Sequence, residues 1–134
     1  MITRHQPCEL TLENLKKFYI GGTWVAPSSS TEMPVLNPAT EERIVTVAMG
    51  KQLDVDAAVA AASSAFASFS QSTKTERMAL LENLMVETKR RFEDLAQAIR
   101  MEMGAPISMS RAAQADAAIG HLQGFVNALD QLKE

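Results

Sequence analysis

Two adjacent glycines, Gly21 and Gly22, stand between two short runs of strand-forming residues. The first run is residues 18–20 (FYI) and the second is residues 23–25 (TWV). A tight two-residue hairpin turn requires positive φ angles, which glycine adopts without steric cost. Apolar and amphipathic positions alternate in the first run, which is the period of a half-buried strand. The pattern therefore predicts a β-hairpin over residues 18–25.

A second pair of extended segments follows the hairpin. Residues 33–36 form a short apolar run, and residues 43–48 are mostly β-branched and apolar, which favours a strand. Between them, Pro38 restricts Asn37 to an extended backbone and favours a turn. The sequence therefore predicts two short β-hairpin-like pairs before residue 50.

The apolar pattern changes to a helical period at about Gln52. Asp54 and Asp56 lie in the first turn of this predicted helix, where negative charge interacts favourably with the helix dipole. The alanine-rich residues 57–62 favour a helix, and their small side chains permit a neighbouring backbone to approach closely. The apolar stripe of this helix consists of Val55, Ala58, Val59, Ala62, Phe66 and Phe69.

A second helix is predicted to begin at a capping box, in which Thr73 is followed three residues later by Glu76. Gly104 and Pro106 form a typical helix stop. Between these signals the apolar positions recur at steps of three and four, at Met78, Leu81, Met85, Thr88, Phe92, Leu95, Ile99 and Met103. Periodicity does not distinguish one continuous helix from two helices with a bend near Arg91.

A third helix is predicted from about Ser108 to Leu132. Its apolar stripe consists of Ala112, Ala115, Ile119, Leu122, Val126 and Leu129. Gly120 and Gly124 weaken it by roughly 1 kcal/mol each relative to alanine, and we interpret both as packing positions. The whole pattern predicts an α+β fold, with two short β-hairpin-like pairs followed by three or four α-helices.

The composition, with 134 residues and 46% apolar residues, fits one domain with a hydrophobic core. The net charge is −3 with both signs interspersed, so no basic stripe for nucleic acid is present. The sequence has no run of about 18 apolar residues, the length needed to span a membrane. Residues 1–17, which we interpret as a flexible arm, lack a secretory signal. A single cysteine cannot form an internal disulfide, which is typical of a cytoplasmic protein. From the charge, the hydropathy and the cysteine count together, we expect a cytoplasmic protein without nucleic-acid or membrane partners.

Several short motifs occur in one order along the chain. They are residues 18–25 (FYIGGTWV), 37–42 (NPATEE), 47–50 (VAMG), 54–59 (DVDAAV) in a helix that reaches Phe66, Arg77 near the start of the second helix, and 101–106 (MEMGAP). Each is common alone, but together and at these separations they resemble the amino-terminal segment of NAD(P)-dependent aldehyde dehydrogenases. The resemblance implies that residues 18–134 are an incomplete, amino-terminal part of the α/β cofactor-binding domain of that fold.

Two positions depart from the usual pattern of the family. Ala105 stands where most members have lysine, a variation that some bacterial members share. Lys51 stands where many members have an acidic or hydroxyl residue that caps the following helix. The second departure implies that the first helix is less well capped here.

The resemblance also implies a reaction for the parent enzyme, the oxidation of an aldehyde to a carboxylic acid with NAD or NADP as cofactor. In the family a cysteine thiolate attacks the aldehyde, hydride passes to the cofactor, and a glutamate-activated water releases the acid. These residues and the dinucleotide-binding turn lie further along the family's chain than Glu134. We therefore assign no catalytic or cofactor-binding residue and expect this polypeptide alone to be inactive and to need no cofactor.

The resemblance implies one structural cation site, formed by the backbone carbonyl near Leu36 and the carboxylate of Glu102. Oxygen ligands of this kind suit hard cations. A further ligand in the family lies beyond residue 134, so the site would be incomplete. For the isolated chain, a solvated Glu102 carboxylate near a helix end is the favoured alternative.

Other residues that could suggest chemistry have ordinary interpretations. Cys8 lies in the polar arm without a positive neighbour to lower its pKa, so we interpret it as an unspecialised thiol. His5 and His121 have no partners at metal-ligand spacing. Asn37 belongs to a turn, and no phosphate-binding glycine motif accompanies Gly21.

Two alternatives to an enzyme segment stay open. The methionine-rich stripe from Met78 to Met103 could bind a partner helix, as a non-enzymatic interaction module derived from the same family would. An independent small enzyme has almost no support, because no convergent acid–base set is present. For the isolated chain we expect self-association through exposed apolar helix faces.

Overall fold

The computed structural model describes residues 14–132, and the chain divides into two compact units, residues 1–70 and 71–134. Most of the predicted amino-terminal arm lies outside the described residues. Within its described end, Lys16 forms an ion pair of 2.7 Å with Glu32, and the carbonyl of Leu15 accepts a hydrogen bond from the backbone of Ala48. These contacts attach residues 15 and 16 to the second sheet of the first unit.

The first unit begins with the predicted hairpin, formed by strands β1 (Phe18–Ile20) and β2 (Thr23–Val25). The strands are antiparallel, and their turn is made by Gly21 at φ +59° and Gly22 at φ +83°. Two successive positive φ angles are typical of the primed turn that the sequence predicts. Across the strands Tyr19 and Trp24 are paired, with their rings edge to face at 5.2 Å between centroids.

A second antiparallel pair follows, formed by β3 (Glu32–Leu36) and β4 (Arg43–Ala48). The Asn37 side-chain oxygen accepts a hydrogen bond of 2.9 Å from the backbone of Ala39, which forms an Asx turn at the end of β3. The same turn holds Glu41 at φ +60°, the left-handed region that glycine favours. Asn37 is therefore a turn residue, as the sequence predicts.

Helix α1 (Gln52–Phe69) completes the first unit. Ala61 is its contact with the hairpin, where a Cβ added at Gly21 would lie 3.7 Å from the Ala61 Cβ. That distance is an ordinary van der Waals contact, so the small Ala61 side chain lets the turn of the hairpin lie close to α1. The larger apolar residues of α1, from Val55 to Phe69, are exposed.

The second unit begins with α2 (Lys74–Arg90) and α3 (Phe92–Met103). The capping box is present, since the Thr73 hydroxyl accepts from the backbone of Glu76, and a Glu76 carboxylate oxygen accepts from the backbone of Thr73. The helical stretch breaks at Arg91, with φ −101° and ψ 17°, so two helices replace one. Helix α3 ends at Gly104 in the left-handed conformation, at φ +71°.

The predicted third helix is interrupted by a π-helical segment. It consists of α4 (Ile107–Met109), the π-helical segment Ser110–Ala115, and α5 (Asp116–Gln131). A π-helical turn inserts one extra residue per turn and shifts the register of all later side chains. A Cβ added at Gly120 or Gly124 would meet nothing within 4 Å, so our interpretation of these glycines as packing positions fails among the described residues.

Packing in the second unit joins α2 to α5 and α3 to the π-helical segment. The fully buried or nearly buried residues are Ala96, Ser110, Ala115 and Val126. At one end, the Lys74 ammonium donates hydrogen bonds to the carbonyls of Asp130 and Leu132 at the end of α5. A cation at this position complements the negative end of the helix dipole.

The predicted α+β architecture is confirmed, with two two-stranded antiparallel sheets followed by helices. The open question about residue 91 is also answered, because α2 ends at Arg90 and α3 begins at Phe92. Over residues 14–132, no helix combines the length and apolarity that crossing a bilayer demands.

Candidate functional site

The Asp54 carboxylate of the first unit accepts three hydrogen bonds. One of its oxygens accepts a hydrogen bond of 2.8 Å from the Ser28 backbone. The other accepts from the Ser28 hydroxyl and from the Lys51 backbone, each at 2.8 Å. Lys51 precedes α1, and its side chain does not cap the helix. The Asp54 carboxylate, in the first turn of the helix, accepts the hydrogen bond of the Lys51 backbone N–H. The carboxylate thus joins the loop after β2 to the start of α1.

The hydrogen bonds to Asp54 favour its charged form. Those from the Lys51 backbone and the Ser28 hydroxyl lower the pKa of the Asp54 carboxyl below its ordinary value. An ionised carboxylate whose oxygens accept three hydrogen bonds has no proton to donate at neutral pH. We therefore assign Asp54 a structural role in joining hairpin to helix.

The two residues of the predicted cation site belong to different units. Leu36 ends β3 and is 52% exposed. Glu102 lies in the last turn of α3 and is exposed. Their oxygen atoms are of the type that a hard cation prefers, although two ligands are far fewer than such ions take. The shared site stays a prediction, and within residues 14–132 no three His, Cys, Asp or Glu side chains form a group that could hold a metal ion.

The other candidate residues do not form a reactive group in the described part of the chain. His5 and Cys8 lie outside the described residues. His121 is exposed on α5. Because residues 14–132 contain one histidine and no cysteine, they offer no Cys–His pair for nucleophilic catalysis.

Two buried polar groups in the π-helical segment were not predicted from the sequence. Ser110 is fully buried, and neither its hydroxyl nor the buried side-chain oxygen of Gln114 has a hydrogen-bond partner. The Gln114 amide nitrogen lies 3.9 Å from the sulfur of Met103, which is a weak acceptor. The only signal in the sequence is that serine and glutamine are polar. The helical periodicity does not indicate the π turn in which these two residues lie.

An ion pair fixes α3 against the π-helical segment beside those buried groups. The Arg111 guanidinium donates to both carboxylate oxygens of Glu93, at 2.6 and 2.9 Å. Gln97 donates a further hydrogen bond of 2.8 Å to Glu93. Both charged side chains are more than a third exposed, so the pair orients the two elements and contributes modestly to stability.

The matches to known proteins extend over most of this fold. The family model described as "Aldehyde dehydrogenase family" matches residues 24–134. The chain belongs to the aldehyde dehydrogenase family. The motifs from the hairpin to Pro106 are therefore those of a family member, and the resemblance seen in the sequence is confirmed.

Aldehyde dehydrogenases of known structure share the fold of this chain. A Pseudomonas syringae aldehyde dehydrogenase C variant, crystallised with NAD+ and octanal, is 42% identical, with a TM-score of 0.88 over 90% of this chain and 25% of its own. A Bartonella henselae aldehyde dehydrogenase is 35% identical, with a TM-score of 0.86 over 88% of this chain and 25% of its own. A predicted aldehyde dehydrogenase of Staphylococcus aureus is 40% identical over 89% of this chain and 25% of its own length.

The aldehyde dehydrogenase match is confined to one part of these relatives. This chain spans about a quarter of their length, 25% in each of the three proteins named above. The matched quarter is the amino-terminal one. The α+β arrangement described here is thus the opening segment of the larger aldehyde dehydrogenase fold.

Proposed function

We propose that this chain is the amino-terminal, non-catalytic segment of an NAD(P)-dependent aldehyde dehydrogenase that oxidises an aldehyde to a carboxylic acid. The observation that carries the proposal is the family match over residues 24–134. Support for the cofactor comes from the Pseudomonas syringae structure, which contains NAD+ and octanal. NAD or NADP would supply the hydride acceptor when bound to the whole enzyme.

Within that enzyme the described residues act as a scaffold. The Asp54 hydrogen bonds to Ser28 and Lys51 hold the first hairpin on α1. The Glu93–Arg111 pair and the Lys74 hydrogen bonds hold the helices of the second unit together. None of these groups is poised to transfer a proton or attack a carbonyl, which supports a structural role.

The proposal is tested by comparing the polypeptide of 134 residues with a chimera. The chimera joins this chain to the remaining three quarters of the Pseudomonas syringae enzyme, with the active-site cysteine present. Each protein is incubated with octanal and NAD+ or NADP+, and NADH or NADPH formation is followed by absorbance. We expect reduced cofactor from the chimera and none from the polypeptide alone.

Two results would contradict this proposal in different ways. Turnover by the purified 134-residue polypeptide would show that it carries its own catalytic groups. A folded chimera that binds the cofactor but oxidises no aldehyde from a broad panel would show that this chain is not the amino-terminal segment of an aldehyde-oxidising enzyme.

We also propose that the 134-residue polypeptide self-associates through its exposed apolar helix faces. Large exposed side chains on several helices support this, among them Phe66 on α1, Val86 on α2 and Phe125 on α5. Contiguous apolar surface is seldom left open in water. Sedimentation velocity at increasing concentration should show growing average mass, and a monomer at every concentration would contradict the proposal. The net charge of −3 gives no support to a nucleic-acid partner.

A further inference from the structure

Met103, the last residue of α3, is the most exposed methionine within residues 14–132, at 63%. Three other methionines are exposed to a smaller extent, Met109 at 52%, Met33 at 47% and Met49 at 38%. The half-buried methionines are Met78, Met85 and Met101. A small soluble oxidant therefore reaches the Met103 side chain more readily than the side chain of any of these six residues.

The sulfur of Met103 also has a polar neighbour on a different element. The Gln114 side-chain amide donates to this sulfur at 3.9 Å, although the two residues are 11 positions apart. Gln114 belongs to the π-helical segment, so the contact links that segment to the end of α3. A thioether sulfur is a weak acceptor, and the link is correspondingly weak.

The Gln114 amide has hydrogen-bonding capacity to spare. Its side-chain oxygen is buried and has no hydrogen-bond partner among residues 14–132, and its nitrogen makes the weak bond to Met103. A primary amide carries two N–H donors and one carbonyl acceptor. A stronger acceptor on Met103 would therefore gain a hydrogen bond from Gln114 without breaking another strong one.

We propose that Met103 is a site of oxidation to methionine sulfoxide, and that the Gln114 amide binds the sulfoxide oxygen. The oxidant is hydrogen peroxide or another small hydroperoxide. The sulfur lone pair attacks one peroxide oxygen, so that an S–O bond forms as the O–O bond breaks. Sulfur is oxidised and the peroxide is reduced. The proton of the transferred oxygen passes to the departing oxygen, which leaves as water or as an alcohol.

The geometry around Met103 suits the oxidised side chain. An N–H···O hydrogen bond is about 2.9 Å long. The separation of 3.9 Å between sulfur and amide nitrogen thus leaves room for an oxygen that is bonded to the sulfur on the Gln114 side. A sulfoxide disrupts packing where the methionine is buried. Because Met103 is exposed, its oxidation sacrifices little apolar contact and adds a hydrogen bond between α3 and the π-helical segment.

Peptide mapping by mass spectrometry tests the site of oxidation. The polypeptide of 134 residues is treated with limiting hydrogen peroxide, at the lowest concentration used for sedimentation, and sampled over time. Met103 should be oxidised several-fold faster than the half-buried Met78 and Met85. Equal rates at these three positions would overturn the proposal.

Thermal unfolding before and after oxidation tests the role of Gln114. The parent chain oxidised at Met103 should melt a few degrees above the unoxidised chain. Gln114→Leu and Met103→Leu, treated in the same way, should show no rise. Met109→Leu is the matched control, because it removes another exposed methionine and keeps both partners, so its rise should equal that of the parent. No rise in the parent, or an equal rise in Gln114→Leu, would overturn the proposal.

Nuclear magnetic resonance detects the hydrogen bond itself. The Gln114 side-chain amide signals, assigned by their absence from Gln114→Leu, should shift when the parent is oxidised. They should stay in place when Met103→Leu receives the same peroxide. Unchanged Gln114 signals in a chain fully oxidised at Met103 would show that the sulfoxide is not bound by the amide and would also overturn the proposal.

Discussion

The Asp54 carboxylate and Ser28 are joined by two hydrogen bonds of 2.8 Å, one from the Ser28 backbone and one from its hydroxyl. The two residues are 26 positions apart and belong to different elements of the first unit. Because the same carboxylate also accepts from the Lys51 backbone, one side chain both caps α1 and anchors the loop that follows β2. The first hairpin is therefore held to α1 by this acidic group in addition to the contact between Gly21 and Ala61.

Asp54→Ala should lower the melting temperature by a few degrees, and this effect should depend on pH. The pKa of Asp54 is lowered from 3.8 in the folded chain, mainly by the Lys51 backbone. A carboxylate of this kind stabilises the fold above its unfolded pKa, and the contribution is lost as the pH falls through the lower folded value. The difference between Asp54→Ala and the parent should stay constant from pH 7 to about 4 and shrink below that.

Asp56→Ala is the matched control for Asp54→Ala. Asp56 lies just beyond the first turn of α1, where the structure places only Asp54, so the prediction of a first-turn position for Asp56 is wrong; it accepts one hydrogen bond of 2.8 Å, from the exposed Gln52 side chain. Removing the Asp56 carboxylate should lower the melting temperature less than removing the Asp54 carboxylate. Equal melting temperatures for the two variants would show that the link to Ser28 does not contribute to stability.

Gly104→Ala should destabilise the second unit by about 1 kcal/mol. Gly104 ends α3 at φ +71°, where a Cβ contacts the backbone unfavourably. Gly120→Ala should have the opposite sign and stabilise by about 1 kcal/mol, because Gly120 lies within α5 and an added Cβ meets nothing within 4 Å. Urea unfolding followed by circular dichroism measures both. The same sign for the two substitutions would contradict the conformational explanation.

Ser110→Ala should stabilise the second unit by about 1 kcal/mol, because it removes a buried hydroxyl that has no hydrogen-bond partner. Ser108→Ala is the control, since Ser108 is exposed in α4 and reports the gain in helix propensity alone. The difference between the two variants, measured by urea unfolding, isolates the buried hydroxyl. A loss of stability in Ser110→Ala would show that this hydroxyl is satisfied in solution.

Local signals in the sequence were sufficient for several parts of the fold. Gly21 and Gly22 specify their turn because few other residues adopt two successive positive φ angles. Thr73 and Glu76 specify the start of α2 because the capping box uses only local hydrogen bonds. The family was also identified from motifs whose spacing the sequence alone provides.

Other parts depend on contacts that periodicity does not contain. The apolar positions of the sequence keep their helical period across both the π-helical turn at Ser110 and the break at Arg91. The period therefore reveals neither irregularity. Lys51 makes no side-chain capping hydrogen bond to α1, as its residue type predicts, and the Asp54 carboxylate inside the helix accepts a hydrogen bond from the Lys51 backbone, which periodicity does not reveal. The cation site of Leu36 and Glu102 was inferred from the family and stays a prediction.

The hydrogen bonds from Lys74 to the carbonyls of Asp130 and Leu132 bring the two ends of the second unit side by side, although 56 and 58 positions separate them along the chain. A segment whose ends meet can be transplanted into a surface loop of another protein without stretching its host. By this criterion, the ends of residues 71–132 lie close enough together for such an insertion.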